Sequence, residues 1–157
     1  MASYDRKFEV IKPDLSMLYR DSIEVADTAI LNPESTTTPA LIDGEMMQIN
    51  ASGQLIRAAN VTQLCFAAME DRGDYGVQAS RKVSILRIGG YVANTAVFAA
   101  GLTVLGAPVM NGDVTVGGLT RRGLVAWSTT PGDLIVGYVM KLAANNGGLL
   151  RFQQTLV

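Results

Sequence analysis

The sequence predicts an all-β protein: a compact small β-sandwich or barrel over residues 41–157, preceded by an extended N-terminal arm over residues 1–40. Three observations predict it. Short apolar runs separated by turn residues recur at near-regular spacing from Leu41 onward, a pattern of strands more than of helices. The 16 glycines cluster at the ends of those runs, where a reversing chain needs backbone freedom. And 48% apolar residues stand against only 17% charged ones across 157 residues. That length suits one domain with a substantial core, and the low charge suggests that a partner covers part of its surface.

The elements follow in order. In the arm, Pro13, Pro33 and Pro39 bias their neighbours away from helix, and Pro33–Pro39 reads as an extended segment. Asp14 can cap a short helix carrying Leu15, Leu18 and Tyr19. The apolar residues Phe8, Val10, Ile11, Leu15, Leu18 and Tyr19 are the candidate interface, by which the arm lies across the body or a neighbouring subunit. Glu45–Asn50 alternates, with Met47 and Ile49 on one face and Gln48 and Asn50 on the other. Ala51-Ser52-Gly53 turns the chain, and Gln54–Ala58 returns as a hairpin partner.

Val61–Met69 is read as a strand, although Asn60-Val61-Thr62-Gln63 resembles a capping box and Val61, Leu64, Cys65 and Ala68 follow helical spacing. A polar turn, Glu70–Gly76, leads to Val77–Ile88. Gly89-Gly90 then precedes Tyr91–Ala99, within an alanine-rich stretch to Leu105 that could also hold a helix. Val114 and Val116 flank Thr115 before Gly117-Gly118, and Leu124–Ser128 runs into the turn Thr130-Pro131-Gly132-Asp133. Leu134–Leu142 is apolar on both faces, as for a central strand packed on both sides. Asn145-Asn146-Gly147-Gly148 supplies a hairpin loop. After it Leu150, Phe152 and Leu156 point one way, and Arg151, Gln153 and Thr155 the other.

Composition excludes several function classes. With 13 basic and 14 acidic residues the chain is no general cationic binder, and no nucleic-acid partner is expected. Without histidine there is no Ser-His-Asp or Cys-His nucleophile and no His-ligated metal, and the single Cys65 forms neither an intrachain disulfide nor a zinc pair. Met1–Lys7 has no apolar core of a signal peptide. Residues 88–112 are uncharged and long enough to span a bilayer, but their glycines, Pro108 and two asparagines break them into short strands, so no membrane partner is expected.

The remaining candidates weigh toward structure. Glu70, Asp71 and Asp74 offer carboxylates for Ca²⁺ without an EF-hand spacing and read as a solvated turn. Arg72-Gly73-Asp74 is short enough to arise by chance, and the acceptor patterns at Asn50 and Asn60 carry no meaning without secretion. Arg121-Arg122, between Gly118 and Gly123, reads as a solvated loop pair, and Cys65 as a small buried hydrophobe. Trp127 and Tyr138 read as core or subunit interface. The expectation is a non-enzyme without catalytic residues, cofactor or metal.

One larger arrangement carries a resemblance. Leu41-Ile42-Asp43-Gly44-Glu45-Met46-Met47-Gln48-Ile49 is followed by Gly53-Gln54-Leu55-Ile56-Arg57-Ala58-Ala59, the Asp71–Asp74 turn and Val83–Gly90. Later come Gly132-Asp133-Leu134-Ile135-Val136-Gly137-Tyr138-Val139 and Gly147-Gly148-Leu149-Leu150-Arg151-Phe152. This succession of glycine turns and β-runs resembles the decoration, or cement, proteins of tailed bacteriophages, over residues 41–157. The resemblance implies a compact β-fold and a homo-oligomer, with a trimer favoured. It implies binding to the major capsid protein on the outer surface of the mature shell, and stabilisation of that shell as a virion component. Other virion roles (fibre, tail or vertex) and a small-ligand-binding β-barrel using Glu70, Asp71 and Asp74 are the alternatives.

Overall fold

The computed structural model describes residues 7–13, 20–32, 35, 38–70, 81–87 and 89–155. The fold is all-β. Its strands are β1 (Phe8–Lys12), β2 (Arg20–Glu24), β3 (Met46–Ile49), β4 (Leu55–Arg57), β5 (Phe66–Ala67), β6 (Lys82–Leu86), β7 (Val92–Thr95), β8 (Pro108–Val116), β9 (Leu119–Ala126), β10 (Gly137–Lys141) and β11 (Leu150–Gln154). A six-stranded antiparallel sheet has the order β1-β7-β11-β10-β8-β9, β2 pairs with β6, and a third sheet has the order β4-β3-β5. The six-stranded sheet is open, with β1 and β9 at opposite edges, so it does not close into a barrel on its own.

The two hairpins with glycine turns form as their sequences dictate. Gly53 takes φ +76, a conformation costly for any residue with a Cβ, and sets the register Met47↔Arg57 and Ile49↔Leu55. Gly117 and Gly118, both at positive φ, turn β8 into β9 with every residue from Val109↔Ala126 to Val116↔Leu119 in register. The loop between β10 and β11 contains a 3-10 turn, Ala143–Asn145. On β11, Leu150 and Phe152 are fully buried while Gln153 is exposed, the alternation expected there.

β3 departs from its expected pattern. Met46 and Met47 point to opposite faces, and each is buried in a different cluster. Met46 packs with Tyr91, Phe152 and Leu124 under the large sheet; Met47 packs with Val25, Leu41, Val83 and Ile85. A strand packed on both faces has no solvated side, so Gln48, expected outside, is buried as well. Its amide is satisfied by backbone. Oε1 accepts from the Ala59 and Asn60 N–H groups at 3.1 and 3.2 Å, and Nε2 donates to the Asn60 and Gln63 carbonyls.

Those bonds account for a second difference. Val61–Met69, read as a strand, is strand only at Phe66–Ala67: Gln48 holds the backbone of Asn60 and Gln63, and the Asn60 side chain accepts the Thr62 N–H at 2.9 Å, so the chain turns there, and the helical alternative does not form. Tyr91–Leu105 also forms no helix, giving β7 and a loop whose Phe98 bridges Leu124 of β9. Among the described residues no helix is long and apolar enough to cross a membrane.

The first forty residues, where described, are woven into these sheets. β1 pairs antiparallel with β7 along Phe8↔Thr95 and Val10↔Ala93, and β2 with β6 along Arg20↔Leu86 to Glu24↔Lys82. Phe8 and Tyr91 meet edge to face at 6.2 Å, and Tyr91 and Phe152 at 5.9 Å, so the N-terminal strand is part of the central aromatic packing.

Candidate functional site

Two places depart from the usual arrangement of apolar residues inside and charges outside. The first is a buried ionic joint. Glu45, just before β3, is fully buried, and its Oε1 accepts from Arg57 Nε of β4 at 2.9 Å. Its Oε2 accepts from the Ile42 N–H at 2.9 Å and from Arg57 Nη2 and Arg121 Nη1 of β9, each at 3.2 Å. The two guanidiniums also donate to the carbonyls of Pro39 and Ala40. One carboxylate thus ties β3, β4, β9 and the segment 39–42 together. Both of its oxygens are taken up by protein donors, so the joint serves the fold and offers no free group to a substrate.

Arg121 and Arg122 therefore do not form the solvated loop pair expected of them: both lie inside β9. Their flanking glycines serve the packing rather than a loop. A Cβ at Gly123 would overlap the Val97 carbonyl oxygen, where residues 97–99 cross the edge of β9. Arg122 reaches Asp113 at 3.0 Å and the Asn111 side-chain oxygen across the hairpin.

The second place is the outer face of the large sheet. Directly opposed residues of antiparallel strands share a face, so Gln153, Tyr138 and Pro108 form a row across β11, β10 and β8. Tyr138 is 41% exposed and Met140, two residues on, 50%, whereas Val139 between them is buried beneath. The chain before β8 extends this face: Gly106 N–H donates to the Val139 carbonyl and Val139 N–H to that of Ala107. In the turn just before it, Val104 is 64% exposed and Leu105 62% exposed.

Loops cap the flanks. Asn146 Nδ2 and Arg151 Nε both donate to Asn94 Oδ1 at 2.9 Å on one side, and on the other Trp127 Nε1 donates to the Asp133 carbonyl at 3.1 Å. Leu134–Leu142 was expected to be packed on both sides; instead one side of β10 faces outward with its apolar residues uncovered. Of this surface the sequence offered only Tyr138, as core or subunit interface, because an apolar residue facing a partner and one facing the core read alike.

A cleft of about 50 Å³ lies between Cys65, Phe66, Leu86, Arg87 and Tyr91. Burial pushes the Cys65 thiol up to about 12, against the opposing pull of Arg122, and its Sγ lies 3.9 Å from Met46 Sδ. Small-molecule pockets run from about 300 Å³ upward, so this cleft suits a solvent molecule and not a ligand.

The expected interface residues divide in two. Phe8 and Val10 are buried in the chain's own core and so are not presented to a neighbouring subunit, and Ile11 is half-buried at the irregularity between Val10 and Lys12. Leu15, Leu18 and Tyr19 lie outside the described residues, as do Asp71 and Asp74 of the acidic turn. Glu70 Oε1 accepts the Ser84 N–H at 3.0 Å. Among the described residues no group of three or more metal-ligating side chains converges. Comparison with family models, with curated proteins and with solved structures finds no match to this chain.

Proposed function

We propose that this chain is a virion structural protein, a decoration or cement protein. It binds the outer surface of a bacteriophage shell and clamps adjacent copies of the major capsid protein. The observation that carries the reading is the exposed apolar face of β10 at Tyr138 and Met140, with exposed Val104 and Leu105 in the turn that leads to the chain beside it, in a chain with few charges. Exposed apolar patches mark interaction surfaces, and a clamp needs a binding face rather than a reactive group. A protein that binds only the assembled shell stabilises it by mass action, and a homo-oligomer, with a trimer favoured, adds avidity by engaging several capsid subunits at once.

The test is quantitative mass spectrometry of density-purified virus particles from the source, counting this chain against the shell protein. Copy numbers comparable to the shell protein support the clamp. A few copies per particle transfer the chain to a fibre, tail or vertex, and absence from particles overturns the virion reading. The double variant Tyr138→Glu, Met140→Lys should remain folded and lose its place on the particle.

A further inference from the structure

The chain contains two Asn-Gly pairs, Asn111–Gly112 and Asn146–Gly147, and the fold treats them in opposite ways. In such a pair the glycine nitrogen can attack the preceding side-chain amide, because no Cβ hinders the approach and the backbone is free to rotate. Asn111 is fully buried in β8. Its side-chain oxygen accepts from Arg122 Nη2, and Gly112 sits opposite Gly123 in the ladder, with Val125 where a Cβ would be. Attack there requires the β8–β9 hairpin to open.

Asn146–Gly147 lies in the turn before β11. Gly147 is exposed at φ +65. The N–H groups on either side are engaged: those of Asn146 and Gly148 donate to the Ala143 carbonyl, and that of Leu149 to Asn146. Among the described residues the Gly147 N–H has no such partner. The nitrogen that must attack is the one the turn leaves unengaged.

We propose that Asn146 is a site of spontaneous covalent modification. The Gly147 nitrogen bonds to Asn146 Cγ, the Cγ–Nδ2 bond breaks, and Nδ2 departs as ammonia with the proton lost by the Gly147 amide. Water then opens the five-membered imide at either carbonyl, leaving aspartate or isoaspartate. No oxidant, reductant or cofactor enters. The structural consequence follows from what Nδ2 does in the intact chain: it donates to Asn94 Oδ1 at 2.9 Å and to the Leu149 carbonyl at 2.8 Å. A carboxylate there faces two acceptors, and isoaspartate also adds a backbone carbon to the turn. The amide is a fastener of residues 143–149 onto the outer sheet face, and its conversion releases that loop.

The experiment is to age the full chain in mildly alkaline buffer, folded and in urea, and to map Asn111 and Asn146 by peptide mass spectrometry and by isoaspartate-specific enzymatic methylation. In the folded chain Asn146 should react at least about tenfold faster than Asn111, because buried strand residues react only through rare opening. In urea the two should react alike. Equal rates in the folded chain, or an inert Asn146 that reacts only in urea, overturn the proposal. Asn146→Gln, whose longer side chain closes no five-membered ring, should stay unmodified while Asn111 remains protected, which reports that the variant is folded. Hydrogen exchange at Asn94 and residues 146–151 should quicken in the aged chain; unchanged exchange after full conversion overturns the fastener role.

Discussion

The ionic joint at Glu45 and the outer face of β10 invert each other. At the joint, three charged side chains sit where apolar ones are expected; on β10, Tyr138 and Met140 sit where polar ones are expected. The joint is closed at its carboxylate: both Glu45 oxygens are matched by donors within the chain, between sheets that share no strand. The face is open, and its neighbours in the fold cap only its margins. A buried charge with all partners present is a statement about how the chain holds itself together, whereas an apolar surface with none is a statement about something else in its surroundings.

The largest expected effect tests the closed half. Glu45→Gln leaves the guanidiniums of Arg57 and Arg121 buried without a counter-charge, and should cost about 3–5 kcal/mol, read as a lower urea midpoint. A loss below about 1 kcal/mol would mean that the joint is not the tie described. Next comes Gly123→Ala, which drives a methyl into the Val97 carbonyl and should cost about 1–3 kcal/mol in the same assay. Alkali probes the same interior. The unfolded Cys65 thiol ionises from about its ordinary 9.0, but the folded one holds its proton up to about 12. The unfolded state then binds fewer protons, so stability should fall between pH 9 and 12 by up to about 1.4 kcal/mol per pH unit from this group. Tyr91, whose phenol burial also pushes upward, acts in the same direction, and Cys65→Ala should flatten the slope of melting temperature against pH.

Thr129 gives a smaller change of opposite sign. It is a β-branched residue at φ +64, and Thr129→Asn should raise stability by about 0.5–1 kcal/mol, visible as a higher melting temperature. The smallest expected change in stability belongs to the open half. Tyr138→Glu should shift the urea midpoint by the equivalent of about 0.5 kcal/mol or less. A large loss there would make β10's outer face part of the fold after all and dissolve the contrast.

What could be read in advance follows from which forces are local. The hairpins at Gly53 and Gly117–Gly118 were legible because turn chemistry and alternation act between neighbours in sequence. So was the in-and-out pattern of β11. Arg121-Arg122 was misread because glycines on either side look like loop punctuation, whereas Gly123 exists for a crossing segment that lies more than twenty residues earlier in the chain. Gln48 was misread because alternation assumes one wet face, and β3 has none. Phe8 and Val10 were recognised as needing cover, but sequence alone did not distinguish cover by the chain's own β7 from cover by a second subunit.

The placement of β11 has a consequence for how the molecule comes into being. β11 follows every other described strand in the chain, yet it lies in the middle of the six-stranded sheet, between β7 and β10. During synthesis β7 and β10 thus wait with unpaired edges until residues 150–154 emerge, and β1, made first, waits longest for its large sheet to be whole. Completion of that sheet waits until residues 150–154 have been made, and it is governed by non-local pairings that form slowly. A nascent chain stalled just before Leu150 would hold β7 and β10 each with an open edge, an aggregation-prone state of the kind chaperones shield.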